Sequence, residues 1–119
     1  MNVLVSVIMP VYNMAEFVGE AIDSILQQTF SDFEFIIIDD ASDDGTDLVI
    51  RSYIDKRIVF VRNDFNIGNY ASRNKGMRQA RGKYIAVMDA DDIAMPERLE
   101  RQIDYLEKHS DILAVGTDC

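Results

Sequence analysis

Phe33-Glu34-Phe35-Ile36-Ile37-Ile38-Asp39-Asp40 is the stretch on which the fold turns. Its apolar residues run on without the alternation of a half-exposed strand, which marks a strand covered on both faces, and two carboxylates follow at once. Val3 to Met9 has the same β-branched character. Ile58 to Val61, Tyr84 to Met88 and Ile112 to Val115 give three further candidate strands. Helical patterns lie between them. Phe17, Val18, Ala21, Ile22, Ile25 and Leu26 share one helix face, with Asn13-x-x-Glu16 as a capping box at its start. Leu48, Val49 and Tyr53 suggest a shorter helix after the Asp43-Asp44-Gly45-Thr46 turn. Tyr70 to Ala80 reads as a third, and Pro96-Glu97 opens a fourth that carries Leu99, Ile103 and Leu106.

Strands alternating with helices predict an α/β fold, an open, mostly parallel sheet with helices on both faces. At 119 residues the chain, 1–119, is one domain, small for a complete two-substrate enzyme. Ligands of such sheets bind at the carboxyl ends of the strands. Those ends carry Pro10-Val11-Tyr12-Asn13, Asp39-Asp40-Ala41-Ser42, Asn63-Asp64 and Asp89-Ala90-Asp91-Asp92.

Asp89-x-Asp91 directly after a buried strand puts two carboxylates at the rim of the sheet, with Asp92 beside them. Mn²⁺ and Mg²⁺ want oxygen ligands and commonly take one or two from protein, with phosphates and water completing the shell. Spacing alone serves a second reading equally well: Asp is a preferred helix cap, and a helix begins near Pro96. Asp39-Asp40 ends the second strand, and a carboxylate there can accept a hydrogen bond from the imide N–H of a uracil or from a ribose hydroxyl; the plainer reading is a turn-forming acid ahead of Gly45. Tyr12 can lay its ring against a base or simply pack. Arg73, Lys75 and Arg78 offer charge to phosphates, although solvated helix surface is the usual role of such residues. His109, late in a helix, reads as a partner of the helix dipole, and the six methionines as core filler.

Composition narrows the classes. Twelve basic against 21 acidic side chains give a net charge of −9, which disfavours nucleic acid and anionic membranes as partners over most of the surface. The charge is uneven: Arg73, Lys75, Arg78, Arg81 and Lys83 form a basic run, and acids gather at Asp39 to Asp47 and Asp89 to Asp92, which suits a site holding both a cation and an anionic ligand. The one cysteine, Cys119, permits no internal disulfide. No run approaches the ~18 apolar residues of a membrane helix, so a soluble, cytoplasmic chain is expected, with peripheral membrane contact open to a longer protein. The G-x-G-x-x-G, G-x-x-x-x-G-K-[ST] and G-x-S-x-G patterns are all missing, which disfavours a dinucleotide site, a P-loop and a serine elbow.

Val5 to Asn13, Ile38 to Thr46, Asn66-x-Gly68, Ser72-Arg73-Asn74-Lys75-Gly76, Gly82-Lys83-Tyr84-Ile85 and Met88 to Asp92 occur in an order and spacing that resembles the family 2 glycosyltransferases of the GT-A (Rossmann-like) fold, their bacterial members in particular. Ser24 to Glu34 is similar to the same stretch of a member that builds spore-coat polysaccharide. The resemblance implies inverting transfer of a sugar from a nucleotide-sugar donor, UDP-linked by default, to an acceptor hydroxyl on a glycan or lipid-linked acceptor, in polysaccharide or cell-envelope synthesis. It implies that Pro10 and Tyr12 lie against the base and that Asp40 reads the uracil imide. Asp89 then faces the ribose or the metal shell, Asp91 binds Mn²⁺ or Mg²⁺, and Arg73 meets the nucleotide. It also implies a further half beyond Cys119 with the acceptor site and the catalytic base, so that this chain is expected to hold the donor only. Three other readings stand beside it. A sugar-phosphate nucleotidyltransferase would need a glycine-rich opening after the first strand. A receiver-like signalling domain would need an acidic pair there and a lysine after the last strand. A binding-only module descended from a transferase would share every feature named.

Overall fold

The alternation expected from the sequence is the one observed. Over the residues described, 3–91, 93–108 and 114–116, the computed structural model runs β1 (Val5–Val11), α1 (Val18–Leu26), β2 (Phe33–Asp39), α2 (Thr46–Arg51), β3 (Ile58–Arg62), α3 (Asn69–Gln79), β4 (Tyr84–Val87), α4 (Arg98–Lys108) and β5 (Ala114–Gly116). The strands form one sheet in the order β3-β2-β1-β4-β5, and every pairing is parallel. Of the fifth strand expected at Ile112 to Val115, the first two residues lie outside the described set.

Strand periodicity of two divides the side chains between two layers. Val5, Val7, Met9 and Val11 of β1 with Phe33, Phe35 and Ile37 of β2 face α1, α2 and α4, meeting Val18, Ala21, Ile22 and Ile25, then Ile50, then Leu99 and Ile103. Ile8, Ile36 and Ile38 face the other way, toward Met77 and Ala80 at the end of α3. Burying one such side chain is worth about 1.5–3 kcal/mol, so the register of β1 against β2 is strongly fixed, since a one-residue slip would exchange the layers. Among the described residues no helix is long and apolar enough to cross a membrane.

Strand order fixes where a ligand can sit. From β1 the chain moves outward through β2 to β3, then returns to the other side of β1 with β4, so the order reverses between β1 and β4. A crevice opens there at the carboxyl ends of the strands, with α1 and α4 packed on the same face of the sheet. Tyr12 follows β1 and Asp89 follows β4, one on each side of that crevice. The two strands are still hydrogen-bonded close to it, Met88 N–H to the carbonyl of Ile8 at 2.9 Å.

The expected capping box does not form. Helix α1 begins at Val18 after Phe17, with no side-chain cap. Asn13 instead turns its amide oxygen to the N–H of Asp43 at 3.0 Å, and its own N–H donates to Ser42 Oγ at 2.8 Å. Asp44 and Thr46 complete the staple: Met14 N–H donates to Thr46 Oγ1 at 3.0 Å and Ala15 N–H to Asp44 Oδ2 at 3.2 Å. The Asp43-Asp44-Gly45-Thr46 turn therefore ties the loop after β1 to the loop after β2 as well as opening α2. A contact 30 residues away outcompeted a local cap.

Candidate functional site

A cavity of about 240 Å³ opens at the carboxyl edge, lined by Pro10, Val11, Tyr12, Asp40, Asn66, Gly68 and Asn69. It brings together three of the residues singled out in the sequence. Pro10 is buried and begins the wall, Tyr12 is 46% exposed, and Asp40 closes the far side at 2% exposed. An aromatic ring half out of the protein beside a buried carboxylate is a fair mould for a planar heterocycle that carries an N–H.

Asp40 is held by the chain around it. Its Oδ1 accepts from Ile67 N–H at 2.8 Å and from Asn63 Nδ2 at 3.0 Å, and its Oδ2 accepts from Gly68 N–H at 2.9 Å. Burial pushes its carboxyl up, but the N–H of Ile67, the amide of Asn63 and the N–H of Gly68 outweigh it, and the group is held below the usual carboxylate range. Asp40 is thus an ionised acceptor at neutral pH. Gly68 makes this possible with φ +95° and ψ 159°, a conformation side chains with a Cβ rarely adopt. Ala41, next in the chain, sits at φ +60°, a local strain of the kind that gathers at functional sites.

Asp39 has a different task. Fully buried, it pairs with Arg62 Nη1 and accepts from the hydroxyl of Ser42 at 2.5 Å, so it ties β2 to β3 and is not part of the wall of this cavity. The two adjacent acids point to opposite faces, as strand alternation requires.

Asp89 and Asp91 both lie exposed in the loop after β4, at the β1–β4 crevice. The helix-cap reading of Asp91 fails: α4 begins at Arg98, and its free Leu99 N–H is taken by Gln28 Oε1 at 2.9 Å. Asp91 makes no hydrogen bond or ion pair with any described residue, which leaves its carboxylate open to a ligand, whereas Asp89 is already engaged. Asp92 and His109 lie outside the described residues. Among those described, no three His, Cys, Asp or Glu side chains gather into a cage. The donor set is therefore sparse and all oxygen, which fits Mn²⁺ or Mg²⁺ shared with a phosphate ligand better than a closed structural ion.

The far side of this acidic loop is anchored by α1 and the segment that follows it. Ser24 Oγ accepts from Ala94 N–H at 3.0 Å, and Gln28 Nε2 donates to the carbonyl of Met95 at 2.6 Å. Thr29 N–H donates to the carbonyl of Pro96 at 2.8 Å. Ser24, Gln28 and Thr29 thus set where the chain goes after Asp91.

The basic run divides. Arg73 is half-buried one turn into α3, stacked 5.1 Å over Tyr70, and touches Asn69 of the cavity wall through Nη2 at 3.3 Å. Lys75 Nζ donates to Asn63 Oδ1 at 2.7 Å, and Arg78 is exposed. Arg81 and Lys83 do not belong to the site. They precede β4, whose Tyr84 pairs with Val5 at the amino edge of the sheet. There Arg81 Nη2 meets the buried Glu34 at 3.2 Å, while Ser6 Oγ donates to Glu34 at 2.5 Å and accepts from Gly82 N–H at 2.8 Å. Burial raises Glu34, yet the Ser6 hydroxyl and the N–H and guanidinium of Arg81 bring it below its ordinary range. Sequence reasoning gave no role to Asn63, Asn66 or Asn69; the one signal was the Asn66-x-Gly68 spacing, which marks a loop but not what it wraps.

Known proteins resemble this chain in sequence and in fold. An uncharacterized glycosyltransferase of Methanocaldococcus jannaschii is 50% identical over 113 residues, covering 92% of this chain and 39% of that protein. The structure of S. aureus TarS 1-349 in complex with UDP superposes with a TM-score of 0.83 at 29% identity, over 90% of this chain and 33% of the TarS 1-349 chain. The mannosyltransferase PcManGT from Pyrobaculum calidifontis, in complex with GDP-Man and Mn²⁺, gives 0.80 at 28% identity, over 86% of this chain and 32% of PcManGT. This chain thus spans well under half the length of each. Residues 6–118 match the model of glycosyl transferase family 2, and the chain, with its parallel sheet and its acidic loop at the switch point, belongs to that family.

Proposed function

We propose that this chain binds the nucleoside diphosphate of a nucleotide-sugar donor, UDP-linked, for a protein that transfers the sugar to an acceptor hydroxyl with inversion. One observation carries the reading: Pro10, Tyr12 and Asp40 line one cavity, and one strand away the Asp89–Asp91 loop borders the same crevice. Neighbouring strands are about 4.8 Å apart, so the ends of β2 and β4 lie about 10 Å apart across β1, a span a nucleoside diphosphate can bridge. The uracil ring lies on Tyr12 and donates its imide N–H to Asp40. Asp91 holds the cation with Asp89 beside the ribose or in the metal shell, and Arg73 steadies the nucleotide from α3. Mn²⁺ or Mg²⁺ bound there would neutralise charge developing on the leaving diphosphate. An ionised Asp40 and two exposed carboxylates repel a diphosphate that arrives without such a cation.

The acceptor, a glycan or lipid-linked saccharide, and the carboxylate that deprotonates its hydroxyl are assigned to chain beyond these residues, and the single cysteine is in keeping with work in the cytoplasm. Calorimetric titration of UDP with and without Mn²⁺ tests the donor half. Binding is expected only with the metal, and Asp91→Ala is expected to abolish it. A folded sample that binds no nucleoside diphosphate under either condition refutes the reading.

A further inference from the structure

Asn63 follows β3, is 4% exposed, and has its amide consumed on every side. Its Nδ2 donates both to Asp40 Oδ1 and to Ser72 Oγ, each at 3.0 Å, and its Oδ1 accepts from Lys75 Nζ at 2.7 Å. Lysine can only donate, so the oxygen of Asn63 must face Lys75 and its NH₂ must face Asp40. The amide has one orientation. Three elements meet on this side chain: the end of β2, the end of β3 and the first two turns of α3.

The count of acceptor positions on Asp40 shows the consequence. A carboxylate offers about four lone-pair directions, two on each oxygen. Asn63 and Ile67 N–H fill Oδ1, and Gly68 N–H takes one direction of Oδ2. The Ser72 hydroxyl also favours the ionised carboxyl, but among the described residues no hydrogen bond of ordinary length takes the second direction of Oδ2, the oxygen of a residue that walls the cavity. Without Asn63 the backbone N–H groups of Ile67 and Gly68 still hold one oxygen each, but Oδ1 regains an open direction, so either oxygen could face a base.

We infer that Asn63, locked by Lys75, is the positioning residue that presents a single acceptor of Asp40 to the cavity and thereby sets the choice of base. The inference rests on the donor-binding reading above. Uracil, thymine and guanine carry a ring N–H at the edge they would offer; cytosine and adenine carry a ring nitrogen lone pair, which a fixed carboxylate repels.

UDP and CDP share every atom outside the base edge, so their affinity ratio in the presence of Mn²⁺ isolates this role from any effect on phosphate or metal binding. The chain is expected to prefer UDP by roughly ten- to a hundredfold, the range of one hydrogen bond to a charged group. Lys75→Met keeps the aliphatic stem but leaves Asn63 Oδ1 buried without a donor, so Asn63 turns away and the preference falls to a few-fold while CDP affinity holds. Asn63→Leu is expected to do the same; Lys75→Met decides the matter should that core variant not fold. A ratio unchanged from the parent chain, with both affinities lowered together, overturns the inference and leaves Asn63 a scaffold residue. Failure of the parent chain to bind UDP at all overturns the donor-binding reading itself.

Discussion

Replacing Gly68 by alanine joins backbone conformation to the site in a single measurement. A Cβ built there meets no atom within 4 Å, so crowding contributes nothing and the backbone decides the outcome. At φ +95° and ψ 159° the residue lies in a region nearly confined to glycine, where another residue costs of order 1–3 kcal/mol. Alanine can hold that conformation, at about 2 kcal/mol. It can also escape by turning the peptide, which withdraws the N–H from Asp40 Oδ2 and the carbonyl from Ser72 N–H. Losing a hydrogen bond to a charged group costs about 1.5–3 kcal/mol, so the two routes give the same figure. For a chain of this size about 2 kcal/mol corresponds to a fall in Tm of about 8 °C. Thermal unfolding followed by circular dichroism, with UDP titration on the same samples, measures both effects. Asparagine sharpens the test. Gly45, at φ +93° and ψ 6°, lies in the left-handed helical region that asparagine tolerates, so Gly45→Asn should cost less than Gly45→Ala. At Gly68 asparagine should give no such rescue. A Gly68→Ala variant that melts within roughly 0.5 kcal/mol of the parent and binds UDP normally would refute the reasoning.

Gly82→Ala acts by crowding instead. Its Cβ would stand 2.5 Å from the backbone N of Ser6 and 2.7 Å from the carbonyl carbon of Val5, so β1 must shift at its start; a loss of about 2–3 kcal/mol in urea denaturation is expected, and a neutral result would show that the turn before β4 can move freely. Acid unfolding should follow Glu34, Asp40, Asp44 and Asp55, all held below their ordinary range. A carboxyl lowered in the folded state contributes stability in full above its unfolded value and loses it as pH falls through the folded one, so the urea midpoint should decline below about pH 4. A midpoint that rises between pH 5 and 3, as relief of the net charge of −9 alone would give, contradicts this.

Much of the architecture was legible because it depends on local pattern. The apolar runs of β1 and β2, the turn at Asp43 to Thr46 and the helix after Pro96 are written in residues near one another in the chain. The departures came where a distant partner won. Asn13 serves Asp43 instead of capping α1, and Gln28 of the loop after α1 caps Leu99. Arg81, grouped by sequence with Arg73, lies at the other edge of the sheet beside Glu34. Charges eight positions apart along a chain that folds back through a helix need share no surface.

By itself the sequence determined the class of fold, the family, and which strand ends carry acids, because hydrophobic period and motif order are properties of contiguous residues. Local pattern did not separate Asp39 from Asp40, for which only the family resemblance chose Asp40, nor did it decide between a cap and an open carboxylate at Asp91. Those differences depend on tertiary neighbours: α4 begins at Arg98 with its Leu99 N–H taken by Gln28, away from Asp91. Placing β4 beside β1 brings the acidic loop to the crevice that Tyr12 borders, while alternation along β2 sends Asp39 to Arg62 and Asp40 to the cavity. A side chain's chemistry depends on what surrounds it in space, and for these residues the deciding neighbours lie some 20 or more positions away along the chain.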